Sequence, residues 1–259
     1  MLTTPSFWKA RLNAAGIHLG ISLVLAAMAA LLVFLVWYPY PYSKISGGYS
    51  LFLLVVAVDV IMGPLLTLTI FNLAKPRQEL RRDLAVIAAL QLLALAYGMW
   101  TVAMARPVHL VYEIDRFRVV HAIDVEQHLL RLAPPELQQL PLTGPTLLSV
   151  REFTSSKESL DATMAALQGF SIGARPDLWQ NYLLAKPQIL TTAKPISDLR
   201  VRFASRVEDI DNALKAAGAS ARPAASMGYI PMMGRSNVWT VLLDTNTAEV
   251  IAFVPLDSF

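Results

Sequence analysis

Apolar positions along this chain follow two regimes. Up to about residue 105 they form long, nearly unbroken runs, and beyond it they alternate or recur at helical spacing. Residues 17–38, IHLGISLVLAAMAALLVFLVWY, hold no acidic or permanently basic group. At about 1.5 Å per residue such a run crosses a hydrocarbon core of ~30 Å. A second run, residues 50–72, holds one acidic or basic side chain, Asp59, and a third, residues 84–105, holds no Asp, Glu, Lys, Arg or His. Three transmembrane helices are predicted. Lys9 and Arg11 precede the first run, and Ala27-Met28-Ala29 fits a small-x-small cleavage pattern. That pattern lies in mid-run, however, and the run exceeds the roughly 7–15 residues of a signal core, so the first span is expected to be an uncleaved anchor.

From Arg106 the pattern becomes that of a water-exposed α+β domain. Residues 108–114 alternate, Asp115-Arg116 breaks them, and residues 117–123 resume, which predicts a hairpin. Pro134-Pro135-Glu136 is expected to open a short helix to about Leu140, and residues 146–150 form a candidate strand. Ser155-Ser156-Lys157-Glu158 has the form of a capping box, followed by Leu160, Met164 and Leu167 at helical spacing and by Gly169. A second helix is expected over residues 206–217, a weak one near residues 177–184, and a terminal hairpin from residues 238–243 and 248–254. The expected division is therefore 1–105, a three-helix transmembrane bundle, and 106–259, an extracytoplasmic α+β domain.

Composition agrees and adds orientation. The 259 residues are 55% hydrophobic and 16% charged, against about 25% charge in ordinary soluble domains. With no cysteine, disulfide frameworks, thiolate metal sites and thiol catalysis are excluded. Residues 1–105 carry seven Lys and Arg against three acids, a net of +4, whereas residues 106–259 carry fifteen against sixteen, a net of −1. The basic excess is thus a membrane collar rather than a nucleic-acid footprint. Lys9 and Arg11 before the first span, and Lys75, Arg77, Arg81 and Arg82 between the second and third, put those segments on the cytoplasmic side. The loop 39–49 and the domain then face the opposite side. The four basic residues of the second loop are candidates for a topological anchor or an anionic lipid headgroup site.

Asp59 is the main chemical candidate, because a carboxyl in mid-span costs roughly 2.5–3.5 kcal/mol on insertion scales. Four and five residues later stand Gly63 and Pro64, and the proline removes an amide from the helix ladder. Polar groups within reach are Thr67 and Thr69 on the same span, Gln91 on the third, and His18 and Ser22 on the first. Two readings of Asp59, Gly63, Pro64 and Gln91 stand: a polar notch for another protein's transmembrane segment, or an internal hydrogen bond that fixes packing. Aspartyl proteolysis needs a second carboxyl, which the other spans lack. Three spans without a repeat do not make an alternating-access transporter, homo-oligomers aside. The four histidines have no metal-ligand spacing, and neither a nucleophile elbow nor a phosphate loop is present. No cofactor is implied.

The stretch Val58-Asp59-Val60-Ile61-Met62-Gly63-Pro64-Leu65-Leu66-Thr67-Leu68, with Phe71-Asn72 and a basic loop after it, resembles the second span of the type IV pilin accessory proteins of Gram-negative bacteria, the TfpX/TfpZ type. Trp37-Tyr38-Pro39, Gln91 with Ala96-Tyr97-Gly98, Arg106-Pro107-Val108, Asp115-Arg116-Phe117 and Leu243-Asp244 agree. The resemblance implies a non-catalytic inner-membrane factor that binds or holds the major pilin and affects its assembly and surface piliation. Its partners would be the pilin, through transmembrane helix and periplasmic head, and the lipid bilayer, with a homo-oligomer possible and no nucleic acid. The alternative is a membrane-anchored extracytoplasmic sensor that passes a signal through its helices to a partner protein.

Overall fold

The computed structural model describes residues 5–235 and 237–259. The chain divides into two compact units, one of residues up to Pro39 with Gly48–Met104, the other of Tyr40–Gly47 with Ala105–Phe259.

In the first unit three helices, Phe7–Trp37, Gly48–Ile70 and Arg77–Met104, are long and apolar enough to cross a membrane. The first and third begin before the apolar runs. Polar residues that favour helix, such as those of Arg77–Asp83, carry the helix beyond the apolar run. The first two helices widen locally into π register, at Leu32–Trp37 and at Val58–Met62. Val33, Tyr38, Phe52 and Val102 form the buried centre of the unit. The Phe34 ring stacks on Tyr49 at 4.6 Å and meets Phe52 edge-on at 5.1 Å. The Tyr38 hydroxyl donates to the Val102 carbonyl at 2.9 Å, which satisfies a polar tip inside an apolar cluster. Gly98 gives the second and third spans close approach, since a Cβ there would stand 2.6 Å from Val55 Cγ1.

The second unit is built on an eight-stranded mixed sheet: β1 (Pro107–Glu113), β2 (Arg116–His121), β3 (Thr146–Val150), β4 (Trp179–Asn181), β5 (Lys194–Pro195), β6 (Met227–Met233), β7 (Val238–Asp244) and β8 (Val250–Val254). The spatial order is β4-β3-β1-β2-β6-β7-β8, with β5 paired to β6. β1 and β3, and β2 and β6, run parallel; the remaining neighbours run antiparallel. Both sheet faces are covered, so β1 is buried along its whole length rather than alternating in and out. On one face Leu110, Phe117, Ile230 and Val241 pack under Ile189 and under Tyr42 and Ile45. The last two belong to the segment between the first two spans, which thus supplies part of this unit's core. On the other face the helices Ile196–Arg202 and Val207–Ala216 cover β6 to β8, and Trp179, Ala133 and Val125 cover β1 to β3.

Both hairpins, the residue 146–150 strand and the residue 206–217 helix are present. The helix expected over residues 134–140 is a single 3-10 turn, Pro135–Leu137. In place of a helix at residues 177–184 stands β4 between 3-10 turns. There Trp179 is buried, its indole donating to the Gly173 carbonyl at 2.7 Å, and the backbone pairs with β3; sheet pairing overrides the local spacing. β6 escapes a pattern search because it contains Gly228 and Pro231. Pro231 lies in the gap between the β5 and β2 pairings on that edge of β6, where a missing amide is tolerated.

The Ser155 cap is realised, its hydroxyl accepting from the Glu158 amide at 3.1 Å. Glu158, however, accepts from the Thr154 amide at 2.6 Å and from Arg151 at 2.6 Å, not from the cap residue itself. Held by Arg151 first and by Thr154, its carboxyl is brought down to about 2. The apolar stripe behind the cap is exposed, with Leu160, Met164 and Leu167 at 56%, 52% and 79%, while Ala162 is the buried position.

Candidate intramembrane site

The candidate residues of the second span meet where its helix is broken. In an α-helix the Asp59 carbonyl would accept from the amide of residue 63. Across Val58–Met62 the backbone is in π register, which shifts each donor one residue on, to position 64. Pro64 has no amide to give. The Gln91 side chain of the third span fills the vacancy, donating from Nε2 to the Asp59 carbonyl at 3.0 Å. Gly63 is what allows it, because a Cβ at that position would fall on the Gln91 amide. Gly63, Pro64 and Gln91 therefore form one internal device: the proline orphans a carbonyl, the glutamine satisfies it, and the glycine makes room.

The Asp59 side chain is a separate matter. It is buried, at 7% exposure, and the groups acting on its carboxyl are His18 of the first span and Gln91 of the third. His18 Nδ1 is itself hydrogen-bonded to Thr67 Oγ1, and Thr67 is buried. All three spans thus contribute to one polar cluster. Within it, Asp59 Oδ1 is buried and has no hydrogen-bond partner among the described residues. Asp59 also lines an apolar groove of about 350 Å³ between the second and third spans. Leu54 and Val58 on one wall, and Tyr97 on the other, are exposed. Groove and carboxyl were not associated in the sequence, although the small residues Ala94 and Gly98, four apart, carry the signal for close helix approach.

Other polar candidates lie elsewhere. Thr69 is exposed and its hydroxyl returns to the Leu65 and Leu66 carbonyls. Lys75 turns back to Asp83 at 2.7 Å and Glu79 at 3.4 Å, whereas Arg77, Arg81 and Arg82 are exposed. The histidines are dispersed. His109 packs edge-on against Trp179 at 4.5 Å, His121 closes a capping box with Asp124, and His128 is exposed.

Comparison with known proteins identifies the family. The chain is 38% identical over 246 residues, 94% of its own length and 94% of the relative's, to "Fimbrial assembly protein, serogroup I" of Dichelobacter nodosus. The chain belongs to the fimbrial assembly family. It is 37% identical, over the same shares of both chains, to the serogroup E1 fimbrial assembly protein of that organism. A third relative, for serogroups C1 and C2, is 44% identical over 110 residues, 42% of this chain and 84% of the relative. The family model "Fimbrial assembly protein FimB" matches residues 6–47, which include the first span and the segment that enters the sheet unit. No solved structure matches significantly. Fimbrial assembly is the type IV pilus accessory role that residues 58–68 suggested by resemblance.

Proposed function

We propose that this fimbrial assembly protein is a non-catalytic inner-membrane factor of type IV pilus biogenesis that holds the major pilin and modulates its assembly and surface piliation. The bundle contacts the pilin's membrane helix and the sheet unit contacts its head on the periplasmic side. The observation that carries the reading is the likeness along 94% of the chain to proteins named for fimbrial assembly. The polar cluster at Asp59 supports a binding role for the bundle, and the packing of Tyr42 and Ile45 into the sheet core supports a common side for the first loop and the domain. Arg77, Arg81 and Arg82 hold the second loop at the cytoplasmic headgroups.

The test is photo-crosslinking from the sheet unit in piliated cells, with a probe at the exposed Leu183. Pilin is the expected adduct, and its absence under conditions that preserve pili overturns the reading. A companion variant, Asp59→Ala, should stay in the membrane at normal abundance yet lower surface piliation; unchanged piliation would remove Asp59 from the function.

A further inference from the structure

The broken second span leaves one polar atom for a partner. We propose that the groove between the second and third spans is a docking site for a single transmembrane helix that presents a hydrogen-bond donor to Asp59 Oδ1 in mid-membrane. The inference rests on the reading above, in which that helix belongs to the pilin.

Three observations lead to it. The orphaned backbone carbonyl at Asp59 is already satisfied by Gln91, so the bundle has repaired its own defect and the carboxyl is not needed for that repair. The carboxyl oxygen Oδ1 is nevertheless buried without a donor among the described residues, in a residue with 7% exposure. A membrane interior offers no water to supply one. Finally, the groove that Asp59 lines is walled by apolar and small side chains, among them Leu54, Val58, Ala94 and Tyr97. Small residues let two helix backbones approach closely, and polar side chains bond across such an interface. An acyl chain would fill the groove but leave the acceptor empty. A helix carrying a hydroxyl, amide or ammonium group at that depth fills both.

Because the chain has no cysteine, single cysteines report contact without background. Leu54→Cys and Val58→Cys, in the full chain in native membranes, are oxidised against pilins bearing one cysteine in their membrane helix; Leu92→Cys, exposed on the third span but outside the groove, is the control. Disulfide-linked pilin is expected from the two groove positions and not from the control. Asp59→Leu should lower the Val58 crosslink about tenfold. Asp59→Asn, which keeps an acceptor oxygen and the side-chain shape, should keep at least half of it and guards against a loss caused by misfolding. Pilin captured by the sheet unit but not by the groove positions overturns the groove alone, and pilin captured by neither overturns the parent reading as well. A crosslink between two copies of this chain, equal capture at Leu92, or loss with Asp59→Asn would each overturn the proposed contact.

Discussion

At Gly63 one hydrogen atom in place of a methyl decides whether two spans can share a hydrogen bond. A Cβ there occupies the position of the Gln91 amide, so Gly63→Ala should push Gln91 off the Asp59 carbonyl and leave that acceptor unpaired. The expected cost is about 1–2 kcal/mol, measured as unfolding of the full chain in micelles. In the sheet unit, burial lowers His109 from 6.5 to about 4, with its ring against Trp179 and its Nδ1 2.7 Å from Thr146 Oγ1. The unfolded chain then binds a proton that the folded chain refuses. Stability is therefore full above about pH 6.5 and falls as the pH drops toward about 4, by on the order of 3 kcal/mol at most. Denaturant unfolding between these limits should show that slope, and His109→Gln should flatten it.

Among elements, the interrupted second span makes a sharper prediction than any single residue. Pro64→Ala restores an amide in the position that the π register assigns to the Asp59 carbonyl, so Gln91 becomes redundant. Gln91→Leu should cost about 1 kcal/mol less in the Pro64→Ala background than in the parent. Equal costs in a double-mutant cycle would refute the account of the break. The Ser156–Leu167 helix depends on its cap instead, and Ser155→Ala should cost about 1 kcal/mol, seen as loss of hydrogen-exchange protection in its first turn. This helix was legible from its Ser-x-x-Glu start and its glycine stop, which are local features. Its orientation was not: spacing places Leu160, Met164 and Leu167 on one face but does not say whether the sheet lies on that side, and it does not. β4 and β6 were illegible for a related reason. Their backbone bonds go to strands distant in sequence, and Gly228 and Pro231 carry the local signature of a loop.

For the whole molecule, the segment between the first two spans has the largest consequence. Ile45 is fully buried among residues of the sheet core, although more than fifty residues separate it from that unit's main stretch. Ile45→Ala should destabilise the sheet unit by about 2–4 kcal/mol, detectable as faster proteolysis beyond residue 105 while the spans stay intact. The same packing makes a topology test decisive. Reporters active only in the periplasm should work after residue 120 and fail at residue 76, and the reverse result would invert the proposed orientation.

The sequence by itself determined the three spans, the change of regime near residue 105, the charge asymmetry, the membership suggested by residues 58–68 and the one acid within the apolar runs. These are properties of hydrophobic runs, loop charge and local spacing, which act over a few turns of chain. Only the tertiary structure decided that Gln91 donates to the Asp59 backbone carbonyl, and that the first loop is core material for the sheet. It alone divided the four candidate residues into an internal repair and one buried acceptor that has no donor among the described residues. Such assignments depend on which distant groups come within about 3 Å, a distance set by packing.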